Sequence, residues 1–213
     1  MILERQLGSR LLGVHRLDRA TSGVLIFAKH ASSAQQLSSE FRDRQVVKKY
    51  LALVRGHVPL SPDWTVIDRP LTKLLKTGEE SERKPALSFY RSLQNLTYPY
   101  PVGRYPEARY SLLEVKIETG LTHQIRRHLA GISHPIVGDT AYGDGRHNQA
   151  TREHWGIQRL FLHSTQLSFP RLGIDLHSPM PATWERVLQG ALSAECSAFA
   201  SHATGPRGGN EHN

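Results

Sequence analysis

The chain has 213 residues, 38% of them hydrophobic, which is enough to build a sizeable core in one domain and excludes wholesale disorder. Lys and Arg number 27 against 19 Asp and Glu, a formal +8 with histidine neutral, and this points to a polyanionic partner, either nucleic acid or an anionic membrane surface. A single cysteine, Cys196, excludes a disulfide framework or a Cys-based zinc site. No apolar run approaches the ~20 residues of a membrane span, and the N-terminus lacks a signal-peptide pattern, so the default compartment is the cytoplasm.

The charge is concentrated. Residues 1–55 carry ten Lys or Arg and four acids, which is +6 of the total +8. A solvated basic face is the plain explanation; phosphate contact is the more economical one, because the excess is gathered rather than spread. Early in this segment comes HRLDRATSG (His15–Gly23), followed by the apolar run Val24–Ala28, which reads as a buried strand. Asp18, flanked by Arg16 and Arg19, can be held ionised and serve as nucleophile, base or metal ligand; it can equally salt-bridge its neighbours in a loop.

Ala34, Leu37 and Phe41 predict an amphipathic helix over Ala31–Gln45. Val46–Arg55 predicts a strand with Tyr50, Ala52 and Val54 on one face. From His57 to Arg109 the prolines and the charged stretch Gly78–Lys84 suggest loops around at most two short elements. Within it, Tyr98–Tyr110 gathers four of the seven tyrosines with two arginines. That composition suits either stacking of unpaired bases or a loop packed on the core.

Alternation predicts a half-buried strand at Tyr110–Ile117. A helix follows at Thr122–Ile132, N-capped by Thr122, with Ile125, Leu129 and Ile132 inward and Arg126 and Arg127 towards the boundary and the outside. One of these arginines could reach an acidic nucleophile. A polar loop runs to Gln158, Leu160–Phe169 reads as a strand and Pro181–Leu192 as a helix. Ser193–Asn213 reads as a disordered tail, leaving one domain over residues 1–192. Strands and helices mix without a regular βαβ repeat, so the expected class is α+β.

His123, His128, His134 and Asp139 tempt a metal reading, but His123 and His128 lie roughly 140° apart around a helix, not at the i, i+4 spacing of a zinc helix. Neither a phosphate loop nor a dinucleotide fingerprint is present, so a nucleotide cofactor has no support.

Taken in order, HRLDRATSG with VLIFAK, then KKYLALVRG, TGLTHQIRRHLAGISHPIVGD and LFLHSTQLSF resemble the RluA-type pseudouridine synthases across residues 14–56 and 86–188. The resemblance implies an isomerase that turns uridine into pseudouridine, on a mixed, mostly antiparallel sheet with flanking helices and a central cleft. It implies Asp18 as the catalytic carboxylate and Arg126 as its ion-pair partner. Tyr50 would lie against the target base and assist proton removal, Arg16 would fill the vacated stack, and Ile125 would line the pocket. Arg19 joins the RNA contacts. No cofactor or metal is implied, and no protein partner, the enzyme acting as a monomer. GRYPEARYSLLEV and GIQRLFLHSTQLSF look most like the branch acting on tRNA at position 65 of the acceptor stem; ribosomal RNA is the alternative substrate, and a non-catalytic basic RNA-binding protein the alternative function. Two departures stand out. Leu121 replaces the arginine of T-G-R-T-H-Q, and only fourteen residues precede His15, where the family carries a longer segment with an N-K-P-x-G strand. Either the start is truncated or misassigned, or the chain is a shortened version with a missing edge of the sheet.

Overall fold

A computed structural model describes residues 2–74, 80–191 and 193–196. Helix α1 (Ile2–Leu7) leads to three short strands, β1 (Leu12–Gly13), β2 (Ser22–Gly23) and β3 (Phe27–Ala28), and then to helix α2 (Ala31–Arg42). The central strands are β4 (Val47–Arg55), β8 (Leu87–Tyr98), β9 (Ala108–Ile117) and β10 (Leu162–Phe169), with β5 (Thr65–Asp68), β6 (Leu71–Leu74) and β7 (Glu80–Lys84) between the first two. Helices α3 (Gln124–Gly131) and α4 (Gly145–Trp155) follow β9; β11 (Ile174–His177), α5 (Ala182–Gln189) and β12 (Ser193–Cys196) follow β10.

The main sheet has eight strands in the path β11-β10-β4-β9-β8-β12, with β2 added to β10 and β5 to β8. All its pairings are antiparallel except β2 with β10. This is the expected α+β class with a mixed, mostly antiparallel sheet. Among the described residues no helix is long and apolar enough to cross a membrane.

Strand β4 lies at the centre. Tyr50, Ala52 and Val54 share one face as expected, and because Tyr50 to Val54 are buried in succession the other face is covered as well. With β8 and β9, this strand carries the larger core. A smaller core gathers Ala28, Leu37, Val46, Leu167 and Phe169 beneath α2.

Four expectations are corrected. Val24–Ala28 is not one buried strand: the chain leaves β2, exposes Leu25 and re-forms as β3, so that only Ala28 of the run is buried. The 57–109 segment holds the twelve-residue β8. Its polar residues disguise it, yet Ser88, Ser92, Asn95 and Thr97 are buried within the sheet. The loop after Pro135 contains α4, which is capped by the Asp144 carboxylate at one end and by Gly156 in the left-handed region at the other. Finally, β12 pairs with β8 inside the stretch expected to be disordered, while residues 197–213 of that stretch lie outside the described residues.

The tyrosine cluster resolves towards the core. Tyr98, Tyr100 and Tyr110 are buried, and their rings lie 5.1, 6.5 and 5.2 Å from that of Trp155 on α4. Only Tyr105 of the four is exposed.

Candidate active site

Two local devices hold the loop that carries Asp18. The first is β2, which runs parallel to His163–Ser164 of β10; Ser22 Oγ shares a 2.8 Å hydrogen bond with His163 Nδ1, and Val24 N–H donates to the Ser164 carbonyl at 3.0 Å. This approach requires glycine at position 23. Its φ is +112°, and a Cβ there would stand 2.1 Å from the Ser164 oxygen. The second is a turn in which Thr21 N–H donates to the Asp18 carbonyl at 2.9 Å. Asp18 is thereby set, half-buried, against the N-terminal half of β4.

Helix α3 approaches from the other side. Its N-cap is His123, in the left-handed region at φ 56°, rather than Thr122. Gln124 locks the entry: its Oε1 accepts from Thr119 Oγ1 and Leu121 N–H, and its Nε2 donates to the Leu87 carbonyl and Ser88 Oγ. Five of the eight helical residues are buried, and Arg126 among them lies deeper than the boundary position expected of it. Arg127 turns away instead and donates to Thr72 on β6.

Arg126 is the electrostatic hinge of the site. Its Nε and Nη2 donate to the two carboxylate oxygens of Asp139 at 2.7 and 2.8 Å. Its Nη1 stands 3.8 Å from Asp18 Oδ2, and His123 Nε2 stands 4.0 Å from Asp18 Oδ1. Burial alone would raise the Asp139 pKa; the Arg126 hydrogen bonds and the N–H groups of Tyr142 and Ala141 hold it below the usual carboxylate value. Asp139, fully satisfied, in turn keeps the guanidinium oriented. Tyr142 closes the arrangement, its ring 5.1 Å from the Arg126 guanidinium and its hydroxyl hydrogen-bonded to His123 Nδ1 at 3.1 Å.

These groups open into a cleft of about 670 Å³ whose walls include Arg16, Asp18, Tyr50, His123 and Ile125. The rim is basic, with Arg42, Arg44, Lys48 and Lys84. Tyr50 lies buried beside Asp18, its hydroxyl pushed up to about 12 by burial and by the Asp18 charge, against a hydrogen bond with Ser164. It is therefore a neutral phenol at physiological pH.

Of the residues singled out from sequence, the cleft gathers Asp18, Tyr50, Arg16 and Ile125, with Arg126 behind Asp18. Arg19 is exposed and outside the cleft lining. Asp139 and His123, weighed earlier only as metal ligands, prove to be partners of Arg126 and neighbours of Asp18. Tyr142 carries no signal in the sequence. The other two histidines of that group serve the scaffold: His128 bonds Ser88 and the Arg69 carbonyl, and His134 the Arg55 carbonyl.

Residues 3–131 match the family described as RNA pseudouridylate synthase. Among curated proteins, the chain is 44% identical over 196 residues to "tRNA pseudouridine synthase C" of Pectobacterium carotovorum subsp. carotovorum, covering 88% of this chain and 51% of the relative. It is 40% identical to the protein of the same name from Yersinia pestis, covering 88% and 74%. The chain thus spans about half the length of the first relative and three-quarters of the second. Among solved structures it resembles "Human RNA Pseudouridylate Synthase Domain Containing 1" at TM-score 0.69 and 27% identity, covering 84% of this chain and 72% of that one. The corresponding domain-containing protein 4 gives 0.67 and 28%, covering 89% and 80%.

Proposed function

This chain belongs to the RNA pseudouridylate synthase family, and we propose that it isomerises a uridine of the tRNA acceptor stem to pseudouridine, acting as a cytoplasmic monomer with Asp18 as the catalytic residue. The observation that carries the reading is the Asp18 carboxylate at the wall of a basic cleft, faced at 3.8 Å by a buried guanidinium that Asp139 orients. The relatives named "tRNA pseudouridine synthase C" support tRNA as the substrate.

The reaction breaks the N1–C1′ bond of the nucleotide, turns the uracil and rejoins it through C5. Nothing is oxidised and no group is donated, so side chains suffice. Asp18 either attacks C1′ or takes a sugar proton, and both routes need its oxygen within reach of the ribose. Arg126 sets positive charge opposite that oxygen and leaves its outer face free for substrate. The uridine must first leave its stack, at a cost of a few kcal/mol. Tyr50 offsets this by lying against the extruded base, and Arg16 by occupying the gap. As a neutral phenol, Tyr50 assists loss of the C5 proton to water by hydrogen bonding rather than as a phenolate, and N1 takes up a proton in exchange. Ile125 supplies an apolar wall, and the rim of Arg42, Arg44 and Lys48 meets phosphates.

Carbodiimide labelling of pseudouridine, read by primer extension on tRNA and ribosomal RNA transcripts treated with the chain, tests this directly. A single new stop in the acceptor stem of tRNA is expected. Stops only in ribosomal RNA would reassign the substrate, and stops in neither would overturn the assignment as a synthase.

A further inference from the structure

A second basic cavity lies at the opposite end of the central strands, and we propose that it grips the backbone phosphates of the same RNA at a distance from the target nucleotide. The inference rests on the RNA substrate proposed above. The cavity measures about 740 Å³ and is formed where β4 ends at Arg55, where β9 begins beside Arg109, and where the 102–107 turn meets the start of α4. Four guanidiniums line it, those of Arg55, Arg104, Arg109 and Arg146, with His57 and His147, against two carboxylates.

Those two carboxylates are already used. Asp144 accepts from Arg55 at 2.6 Å, and Glu107 accepts from Arg109. Arg104 and Arg146 have no carboxylate partner among the described residues. Arg104 is held in place, and Arg146 lies beside it with its side chain exposed. Val102 and Tyr105 pair through two backbone hydrogen bonds of 3.0 and 3.2 Å, making a tight turn with Gly103 at φ +61°. Arg104, at its tip, lies over the Tyr105 ring at 5.1 Å and donates to its hydroxyl at 3.0 Å. Arg146 passes over Gly103, where a Cβ would come within 2.9 Å of its Nη1. Two neighbouring guanidiniums without carboxylate partners, one of them oriented by Tyr105, are suited to phosphate oxygens.

The position fits a second contact on one molecule. Tyr50 in the cleft and Arg55 at the cavity are five residues apart on one strand, roughly 17 Å, farther than the target nucleotide itself extends. Their side chains leave β4 on opposite faces, and the link between the two sites runs around the sheet: a neighbouring depression of about 680 Å³ shares Arg55, Asp144 and Arg146 with the cavity and includes Tyr142, which bonds His123 at the cleft. An RNA seated at Asp18 would reach Arg146 and Arg104 by passing over Tyr142.

The test compares the parent with the double variant Arg104→Glu/Arg146→Glu, measuring binding of full-length tRNA transcript and of a short hairpin that carries the target uridine with only the adjoining base pairs. The charge-reversed protein is expected to bind full-length tRNA at least tenfold more weakly and the hairpin within twofold of the parent. The slope of log affinity against log salt should fall in magnitude by about 1.5–2, as for two lost phosphate contacts. Arg104→Lys/Arg146→Lys, which keeps the charges, should restore most of the binding and controls for folding. Unchanged full-length binding, or equal losses on both RNAs, overturns the proposal. Because the readout is binding, a protein that binds tRNA through this cavity yet produces no pseudouridine would sink the functional assignment while upholding the second grip.

Discussion

Arg126 and Asp139 form a buried two-hydrogen-bond pair, at 2.7 and 2.8 Å, in a site where the other carboxylate, Asp18, receives the guanidinium only across 3.8 Å. The tight pair is thus structural and the loose one faces the cleft. This division leaves Asp18 oxygens available for the ribose while the positive charge stays fixed.

Removing one member of such a pair leaves a buried charge without its partner, so Asp139→Ala should cost about 3–5 kcal/mol of stability in urea unfolding. Asp139→Asn keeps an oxygen for the Ala141 and Tyr142 N–H groups and should cost less. It should still lower kcat more than it raises KM, because Arg126 is freed to swing onto Asp18.

Tyr50 makes a separate prediction. With its hydroxyl pushed up to about 12, the pH–rate profile should show no limb from Tyr50 between pH 6 and 10. Tyr50→Phe keeps the ring against the base and loses the hydroxyl. It should leave tRNA affinity near that of the parent while lowering kcat by about tenfold, the worth of one hydrogen bond. Unchanged kcat in this variant would remove the hydroxyl from the mechanism.

Gly23→Ala places a methyl group into the Ser164 carbonyl at a backbone angle that L side chains rarely adopt. A loss of more than about 2 kcal/mol is expected. Activity should fall further than stability explains, because the displaced strand carries the Asp18 loop with it; kcat measured well below the variant's Tm separates the two.

The stability should fall on mild acidification. His15, His128, His147 and His163 all titrate below the ordinary histidine value of 6.5, chiefly because burial penalises their charged forms. The unfolded chain therefore takes up protons first. Stability is fully present above pH 6.5, erodes as pH falls below it, and has lost this contribution once the depressed folded values are passed. Asp139 and Asp144, held low by Arg126 and Arg55 against their own burial, add a second loss below about pH 3.8. A plot of Tm between pH 8 and 5 should slope downward to acid.

The parts of this protein that could be read from sequence are those whose signal is local. The HRLD segment, Tyr50 and the helix bearing Ile125 and Arg126 each announce themselves within a few residues, and the cleft brings them together. The apolar run after Gly23 misled because continuous hydrophobicity does not say where a chain bends. Strand β8 was hidden by buried serines, asparagine and threonine, whose partners come from elsewhere: Ser88 meets Gln124 and His128, and Asn95 meets Ser111. Helix α4 was hidden by polarity, since only Ala150 and Thr151 are buried in it, although its Asp144 cap and terminal Gly156 were visible signals. Asp139 could not be paired with Arg126 by spacing, because thirteen residues and a turn separate them.

The central claim is that Asp18 carries the isomerisation. Its most direct test is tritium release from tRNA transcripts labelled at uracil C5, using the parent chain and Asp18→Asn in parallel. Release by the parent and none by the variant, with tRNA binding retained by both, is the predicted result. Release from Asp18→Asn at the parental rate would contradict the account.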